Sequence, residues 1–459
     1  MLTSASSFVI LVLLALSSAT VLPTADRYSP DWASLDARPT PSWFDEAKVG
    51  ILLHWGVYSV PSYGGEWFWH KWRVGNESKY VEFMRRNYKP GFTYQDFAPQ
   101  FTAELFDPDR WADVFEKSGA RYVVLTSKHL DGFTLWPSNA SANWNSQDVG
   151  PHRDLVGDLA SAVRRKQGMR FGVYHSLSEW FHPLYLADKE SNFTRAIFPH
   201  AKTFPELREL VERYHPDVLR TDGDLDAPGS AYWNSTSFLA WLFNDSPVRS
   251  TVVVVNDNWG QDVRCKHGDS FSGCGGESGS LKQRKWEQYV NIDMSAWGYR
   301  REASVSDYYT TQQLIDKLVK TISYNGNLLI NVGPTKEGTI APAFEERLLQ
   351  LGRWLSVNGE AVYGSKPWKH QKDAAAPDVW YTANGNAVYA FVLRWPADEE
   401  LQLESLNLAS EGKITLIGLP GELKWTAVEG KGTTVHFPKL TPGKLLTPGA
   451  LVLKVEGSL

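Results

Sequence analysis

The stretch YHPDVLRTDGD, residues 214–224, contains a short buried strand that runs directly into a carboxylate. Val218 and Leu219 are its apolar residues, and Asp222 and Gly223 follow where the strand ends. A charged side chain at the end of a buried strand costs folding free energy unless it is paired with another group, so an unpaired one suggests a functional role. In barrels of alternating strands and helices, catalytic groups collect at such strand ends. The alternative is a turn cap, because Asp-Gly is a common turn pair.

Apolar strands of the same kind recur on both sides of this stretch, with amphipathic helices between them. The pattern predicts strands at 49–56, 122–126, 171–174, 218–219, 251–255 and 328–332, and helices at 109–118, 154–166, 204–214, 236–244, 312–324 and 344–357. Continuous apolar strands separated by helices indicate a parallel sheet covered by helices. We therefore expect an α/β fold built as a (β/α)8-like barrel. A doubly wound sheet would place a Gly-rich loop after the first strand, where this chain has His54-Trp55-Gly56.

The pattern changes near Lys366, where short strands separated by turns replace the helices. Strands are predicted at 387–393, 413–417, 433–437 and 451–455, with turn signals at Asn384-Gly385, Pro420-Gly421 and Pro442-Gly443. This indicates a C-terminal all-β sandwich domain. The predicted organisation is a signal peptide at 1–19, a barrel at 30–365 and a β-sandwich at 366–459.

Composition and the N-terminus limit the functional classes. The net charge is −5 and no basic run occurs, so nothing indicates nucleic-acid binding. Twenty Trp favour a carbohydrate site, since sugar rings pack on Trp faces. The apolar run from Phe8 to Leu16, followed by small residues, is typical of a signal peptide and too short to span a bilayer. No later segment is apolar enough to span one, so we expect a secreted or lysosomal protein.

Glycosylation sequons and a cysteine pair agree with that compartment. The sequons begin at Asn76, Asn139, Asn192, Asn234 and Asn244, and Pro247 makes the last one the weakest. Cys265 and Cys274 are the two cysteines, and in an oxidising compartment they are expected to form a disulfide. Two thiols with His267 nearby are too few ligands for a structural zinc site.

The strand ends carry polar and aromatic residues that a barrel would bring to one mouth. They are His54-Trp55, His129, Tyr174-His175, Asp222 and Asn256-Asp257, joined by Glu66-Trp67-Phe68-Trp69 from the loop after the first strand. Carboxylates, histidines and tryptophans in one pocket suit glycoside hydrolysis, in which one carboxylate attacks the anomeric carbon and another protonates the leaving oxygen. For each His, the alternative is a satisfied hydrogen bond at the barrel rim.

Several motifs also resemble those of the retaining α-L-fucosidases, from about Pro30 to the C-terminus. They are Leu35–Pro39, Gly50–Pro61, Glu66–His70, Gly172–Ser176, Asn256-Asp257 with Trp259-Gly260, Trp297–Arg300 and Gly326–Thr335. The resemblance implies a (β/α)8-like barrel followed by a β-sandwich. It also implies a retaining exo-glycoside hydrolase that releases terminal α-L-fucose from glycoproteins and glycolipids by double displacement.

The resemblance further implies a role for individual residues. Asp222 corresponds to the nucleophile, and the residues that match positions around the fucose ring are His54, Glu66, Trp67, His129 and Tyr174. The expected partners are fucosylated glycans, and no metal or organic cofactor is expected. The sequence leaves open whether the protein forms a homo-oligomer.

The general acid/base is expected in the variable loop after the Asn-Asp-x-Trp-Gly stretch. Glu277 lies on a Gly-rich segment just past Cys274, where a proton donor could reach the leaving group. Glu287 lies beside Trp286 at the start of an expected strand. It is either the alternative acid/base or a structural hydrogen-bond acceptor. We favour Glu277.

The sequence departs from the family motifs at four positions of the expected sugar site. Leu130 replaces the second His of a His-His pair, and Arg220 replaces a Trp two residues before the nucleophile. Asn258 replaces the Arg of Asn-Asp-Arg-Trp-Gly, and Gly276 lies nearest to a missing Asp. Arg220 is expected to bring a positive charge to Asp222. Because lost sugar hydrogen bonds weaken binding, the alternative function is a fucosidase-fold glycan-binding protein with little or no turnover.

Overall fold

The computed structural model describes residues 27–249, 253–274, 281–396, 398–439, 441 and 447–458. The expected signal peptide at 1–19 and the loop that contains Gly276 and Glu277 lie outside the described residues.

Eight parallel strands form the sheet of the larger unit. They are β1 (Val49–Leu53), β2 (Tyr122–Lys128), β3 (Arg170–Ser176), β4 (Val218–Asp222), β5 (Val254–Val255), β6 (Phe271–Ser272), β7 (Trp286–Asn291) and β8 (Gly326–Val332). Their spatial order is β5-β4-β3-β2-β1-β8-β7-β6. Strands β1, β2 and β8 are buried along their whole length, as expected for a parallel sheet covered on both faces.

The two edge strands of this sheet approach each other and curl it into a barrel. One parallel bridge joins Asn256, just after β5, to Ser270, just before β6. The (β/α)8-like barrel is confirmed. Val254–Val255 of the strand expected at 251–255 form β5, while residues 251–252 lie outside the described residues, and the two-residue β6 was not predicted.

Ten α-helices accompany the strands in the described residues. They are α1 (Trp32–Asp36), α2 (Ser42–Ala47), α3 (Ser78–Asn87), α4 (Pro108–Lys117), α5 (Leu155–Arg164), α6 (Pro183–Glu190), α7 (Phe204–Tyr214), α8 (Ser235–Asn244), α9 (Thr311–Ser323) and α10 (Pro342–Asn358). Local chemistry sets several of their starts. The Asp107 carboxylate accepts a hydrogen bond from the Arg110 amide at the start of α4, and Thr310 and Gln313 form a capping box on α9.

The C-terminal region contains two antiparallel sheets. Its strands are β9 (Lys366–Lys372), β10 (Val379–Asn384), β11 (Ala387–Val392), β12 (Glu400–Leu403), β13 (Leu408–Leu416), β14 (Lys424–Val428), β15 (Gly432–His436) and β16 (Leu451–Ser458). The sheet orders are β13-β16-β11-β10-β9 and β12-β15-β14. Buried residues such as Leu403, Val435 and Leu453 share one core, so the all-β C-terminal domain is confirmed.

This domain packs on the barrel through α10. The Trp354 indole donates a hydrogen bond to the Ala450 carbonyl at 2.9 Å, and Phe391 lies against the same indole. Among the described residues, no helix has the length and apolarity that crossing a membrane requires.

Candidate active site

A cavity of about 110 Å³ opens at the carboxyl ends of the barrel strands. Its lining includes every residue that the resemblance places around the sugar, namely His54, Glu66, Trp67, His129, Tyr174 and Asp222. Leu52, Arg220, Thr221, Asn256, Asn258, Tyr289 and Trp297 complete the lining. These residues come from distant parts of the chain, and the parallel sheet brings them together because its strand ends meet at one face.

Asp222 ends β4, and its two carboxylate oxygens have different partners. The Tyr174 hydroxyl donates to Oδ2 at 3.0 Å, while Arg264 Nη2 and Asn258 Nδ2 lie 3.1 and 3.4 Å from Oδ1. The Asp222 side chain is 42% exposed, so the carboxylate is accessible from the cavity. It therefore combines a fixed orientation with access to a bound molecule.

His54 is held in one tautomer by its neighbours. Asn331 donates its amide Nδ2–H to the Trp297 carbonyl at 2.7 Å, which leaves Asn331 Oδ1 to accept from His54 Nδ1 at 2.9 Å. The assignment of protons follows from this network. Burial lowers the pKa of His54 to about 4, so the ring is neutral near pH 7 and its Nε2 is an acceptor.

Glu66 is buried beside the same segment. Its Oε2 accepts hydrogen bonds from the backbone amides of Trp297 at 3.0 Å and Gly298 at 2.9 Å. Burial raises the pKa of Glu66, and the two amide donors partly oppose that rise. These two bonds fix the orientation of the Glu66 carboxyl group. Its other oxygen, Oε1, is therefore available to a ligand.

The remaining predicted residues form the walls. Burial lowers the pKa of His129 well below its usual value, with the neighbouring His54 adding to the effect. Burial also raises the pKa of Tyr174, as does the charge of Asp222, which keeps the hydroxyl proton available for donation. Trp67 is 40% exposed, and this exposed indole lies where it can contact a sugar ring.

Five residues of the expected cluster do not line the cavity, namely Trp55, Phe68, Trp69, His175 and Asp257. Trp55 packs among Phe101, Phe106 and Trp111 behind the strand. His175 is buried with Nε2 3.3 Å from Glu206, and Asp257 accepts the backbone amides of Cys265 and Ser272. Successive strand side chains point to opposite faces, so His175 and Asp257 turn away while their neighbours Tyr174 and Asn256 line the cavity.

Arg220 and Glu287 pair with each other inside the barrel. The guanidinium of Arg220 contacts the Glu287 carboxylate and the Tyr289 hydroxyl. Tyr122 donates a second hydrogen bond to Glu287 at 2.5 Å, and Glu287 is completely buried. Arg220 lines the same cavity as Asp222, as expected for a positive charge near that carboxylate, but its guanidinium pairs with Glu287 rather than with Asp222. The geometry agrees with the structural-acceptor interpretation of Glu287.

Arg264 is the functional candidate that sequence analysis missed. Its Nη2 contacts Asp222 Oδ1 at 3.1 Å, and its guanidinium also binds Asp224 with distances of 2.5 and 3.3 Å. Arg264 lies in a loop with no helical or strand periodicity. The one available signal was its position next to Cys265.

The disulfide between Cys265 and Cys274 is confirmed. The pair closes a loop that Asp257 also holds through backbone amides at both ends, each at 2.8 Å. Asp257 and the two cysteines form the one grouping of metal-ligand types found among the described residues. The sulfurs are bonded to each other, so they are not thiolate ligands.

The five sequons differ in their environments. Asn76, Asn139 and Asn192 are exposed, while Asn234 is half-buried. Asn244 is also half-buried, and its side-chain amide pairs with the backbone of Tyr28 in both directions, at 3.0 and 2.8 Å. A glycan on Asn244 would have to displace this contact, whereas the three exposed sites present no such conflict.

Comparison with known proteins identifies the family. The family model "Alpha-L-fucosidase" matches residues 15–360, and "Alpha-L-fucosidase C-terminal domain" matches residues 371–456. The chain is 51% identical to the tissue alpha-L-fucosidase of Homo sapiens over 433 residues, covering 94% of this chain and 92% of that protein. It is 51% identical to the plasma alpha-L-fucosidase of Homo sapiens over 423 residues, covering 91% and 90%.

A solved structure of the Thermotoga maritima alpha-fucosidase in complex with fucose superimposes with a TM-score of 0.78. That protein is 35% identical, and the match covers 94% of this chain and 100% of that chain. The barrel, the C-terminal β domain and these matches agree: the chain belongs to the α-L-fucosidase family of glycoside hydrolases.

Proposed function

We propose that this chain is a retaining exo-α-L-fucosidase that removes terminal α-L-fucose from glycoproteins and glycolipids. The reaction proceeds by double displacement, with Asp222 as nucleophile and Glu277 as general acid/base. The observation that carries the proposal is the environment of Asp222. Its carboxylate is hydrogen-bonded at both oxygens and lies in a cavity of about 110 Å³ whose lining also includes His54, Glu66 and Trp67.

In the first step, an Asp222 oxygen forms a bond to the anomeric carbon of fucose while the bond to the leaving oxygen breaks. The acid residue gives its proton to that oxygen. In the second step, the same residue takes a proton from water, and the water oxygen displaces Asp222. Each displacement inverts the anomeric carbon, so the product keeps the α configuration.

The acid/base assignment rests on two observations. Glu287 is buried and bonded to Arg220 and Tyr122, which makes it a poor proton donor to a leaving group. Glu277 is three residues beyond Cys274, and three residues span at most about 10 Å. The strand before Cys274 adjoins the cavity, because Ser272 Oγ lies 2.7 Å from the hydroxyl of the lining residue Tyr289. These contacts support Glu277 rather than Glu287 as the acid/base.

The cavity walls supply both acceptors and donors to the sugar. Neutral His54 offers Nε2 as an acceptor, and Glu66 offers a carboxyl oxygen whose partner oxygen is fixed by two amides. Trp67 offers an exposed indole at the side of the cavity. Because a fucose ring combines hydroxyl groups with an apolar methyl-bearing edge, such a mixed lining suits it.

The test is hydrolysis of 4-nitrophenyl α-L-fucoside by the purified secreted protein. We expect turnover, and ¹H NMR of early time points shows α-L-fucose before mutarotation. Asp222→Ala lowers kcat by more than about a thousandfold. Asp226→Ala is the matched control, since Asp226 is an exposed carboxylate four residues away that pairs with Lys189.

Glu277 is tested with leaving groups of different acidity. Glu277→Ala loses far more activity on fucosides with poor leaving groups than on dinitrophenyl α-L-fucoside, because an activated leaving group departs without needing a proton. Fucose binding without turnover by the wild-type protein contradicts the proposal, and so does early appearance of the β anomer.

We also propose that the protein is secreted or lysosomal. The disulfide and three exposed sequons support an oxidising, glycosylating compartment. Expression in animal cells followed by glycosidase treatment tests this. We expect the treatment to lower the mass of the wild-type protein. The triple variant Asn76→Gln/Asn139→Gln/Asn192→Gln is expected to lose most of this mass decrease. An unglycosylated protein retained in the cytosol contradicts the proposal.

A further inference from the structure

We infer that Arg264 is the positioning residue of the Asp222 carboxylate, supplying from the disulfide loop the guanidinium that the family motif has at position 258. The inference rests on the proposed role of Asp222 as nucleophile. It links two features of this sequence: Asn258 in the motif Asn-Asp-x-Trp-Gly, and Arg264 six residues later.

The contacts at Asp222 identify Arg264 as its cationic partner. Within the described residues, Arg264 is the cation that forms an ion pair with Asp222, at 3.1 Å to Oδ1. Arg220 is closer to Asp222 in sequence, but it forms its ion pair with Glu287. Arg264 is 30% exposed and Asp222 is 42% exposed, so the pair is open to the cavity. A sugar that enters excludes water from this contact and strengthens it.

Arg264 is itself held from two sides. Its Nη2 and Nε lie 2.5 and 3.3 Å from the two oxygens of Asp224, and a bidentate contact of this kind fixes the plane of a guanidinium. Asp224 is buried and also accepts the Gly260 amide at 3.1 Å. The backbone next to Arg264 is fixed as well, because Cys265 carries the disulfide and its amide binds Asp257. The guanidinium is therefore oriented before any substrate binds.

Asn258 occupies the position from which a motif arginine would reach the same oxygen. Its Nδ2 lies 3.4 Å from Asp222 Oδ1, a long contact, and its Oδ1 has no hydrogen-bond partner within the described residues. A longer arginine side chain at 258 would place a guanidinium where Arg264 Nη2 now lies. Two guanidinium groups at one carboxylate oxygen repel each other, so the short Asn258 and the long Arg264 fit as a linked pair of changes.

This arrangement has a consequence for the reaction. A carboxylate bonded at Oδ1 by Arg264 and at Oδ2 by Tyr174 has little freedom to rotate, which keeps it aligned with the anomeric carbon. When water displaces the sugar from Asp222, the electron pair of the broken ester bond returns to the carboxylate. The guanidinium then stabilises the developing negative charge.

The test combines removal of the guanidinium with its relocation. Arg264→Ser is expected to lower kcat/KM for 4-nitrophenyl α-L-fucoside by about tenfold to a hundredfold, the range for one hydrogen bond to a charged group. Asn258→Arg/Arg264→Ser restores most of that loss. Added guanidinium chloride restores part of the activity of Arg264→Gly and leaves the wild type unchanged. Lys266→Ser, which removes an exposed cation of the same loop, keeps wild-type kinetics.

Circular dichroism and thermal unfolding show whether each variant is folded. Arg264→Ser leaves the Asp224 carboxylate buried without its cation, which destabilises the fold. If this single variant does not fold, the double variant Asp224→Asn/Arg264→Ser replaces it in the kinetic test. A folded Arg264→Ser with wild-type kcat/KM overturns the inference. So does a loss that neither Arg at 258 nor free guanidinium restores.

Failure of the proposed function gives a different result. If Asp222 is not the nucleophile, a 2-fluoro-fucosyl fluoride labels another residue in the wild type. If Asp222 is labelled but Arg264 is dispensable, the proposed function stands and the inference fails.

Discussion

Substituting Glu287 with Gln separates a structural role from a catalytic one. Glu287 is fully buried, binds Arg220, and accepts from Tyr122 at 2.5 Å and from Ser270 at 3.4 Å. Glu287→Gln removes the negative charge and leaves the Arg220 guanidinium unpaired inside the barrel. Breaking a buried ion pair on one side typically costs about 3–5 kcal/mol of folding free energy. We expect a loss of that size.

The assay is equilibrium urea unfolding followed by Trp fluorescence, beside kinetics of the folded fraction. Arg220→Met/Glu287→Met removes both charges and recovers about 3–5 kcal/mol relative to the single variant, because replacing a buried ion pair with apolar residues is often neutral for stability. Glu411→Gln, at an exposed position, is the control with unchanged stability. An unchanged urea midpoint together with a large kcat loss on poor leaving groups would falsify this reasoning and make Glu287 the acid/base.

Three further predictions concern single side chains. Tyr174→Phe removes the hydroxyl 3.0 Å from Asp222 and lowers kcat/KM about tenfold to a hundredfold in steady-state kinetics; unchanged kinetics contradicts this. Burial lowers the pKa of His54 to about 4, so the fucose inhibition constant stays level from about pH 7 to 5 and rises as the ring protonates near pH 4. An inhibition constant that rises already near pH 6 rules out a neutral His54. Burial raises the pKa of Asp131 to about 6 from 3.8, so the folded state keeps a proton that the unfolded state loses between about pH 4 and 6. Stability therefore falls as pH rises through that window, by up to about 3 kcal/mol. In urea unfolding, Asp131→Asn abolishes this component, and an unaltered pH dependence contradicts it.

The barrel was predictable because its central strands are continuous apolar runs. Residues 218–219 and 328–332 are buried on both faces, and this burial selects branched and apolar side chains that are visible in the sequence. Strand β6 was not predicted, since its two residues carry no periodicity and its pairing depends on the closure of the barrel. Helix α7 had the predicted ends and the other five predicted helices differed by one or two residues, because caps set the true limits, whereas α1, α2, α3 and α6 were not predicted.

Alternation along the strands explains why some strand-end residues line the cavity and their neighbours do not. A strand end treated as a whole segment does not separate cavity residues from buried ones, because a strand directs neighbouring side chains to opposite faces. Tyr174 faces the cavity and its neighbour His175 contacts Glu206, while Asn256 lines the cavity and Asp257 holds the disulfide loop. Applying the period of two from Asp222 backwards would have placed Arg220 on the inner face as well.

The partners in the ion pairs near the cavity could not be predicted from the sequence. Arg220 and Glu287 lie 67 positions apart in the chain, and Arg264 and Asp222 lie 42 positions apart. Proximity in sequence suggested that Arg220 would serve Asp222. The fold instead gives Arg220 a buried partner across the barrel and brings Arg264 in on a loop whose position depends on the disulfide and Asp257.

Covalent trapping of the nucleophile tests the central claim most directly. The wild-type protein is incubated with 2-deoxy-2-fluoro-α-L-fucosyl fluoride, digested and analysed by mass spectrometry. The account predicts time-dependent inactivation with one fluorofucosyl group on the peptide that contains Asp222, and no label in Asp222→Ala. A label on a different carboxylate, or turnover without any trapped intermediate together with release of the β anomer, contradicts it.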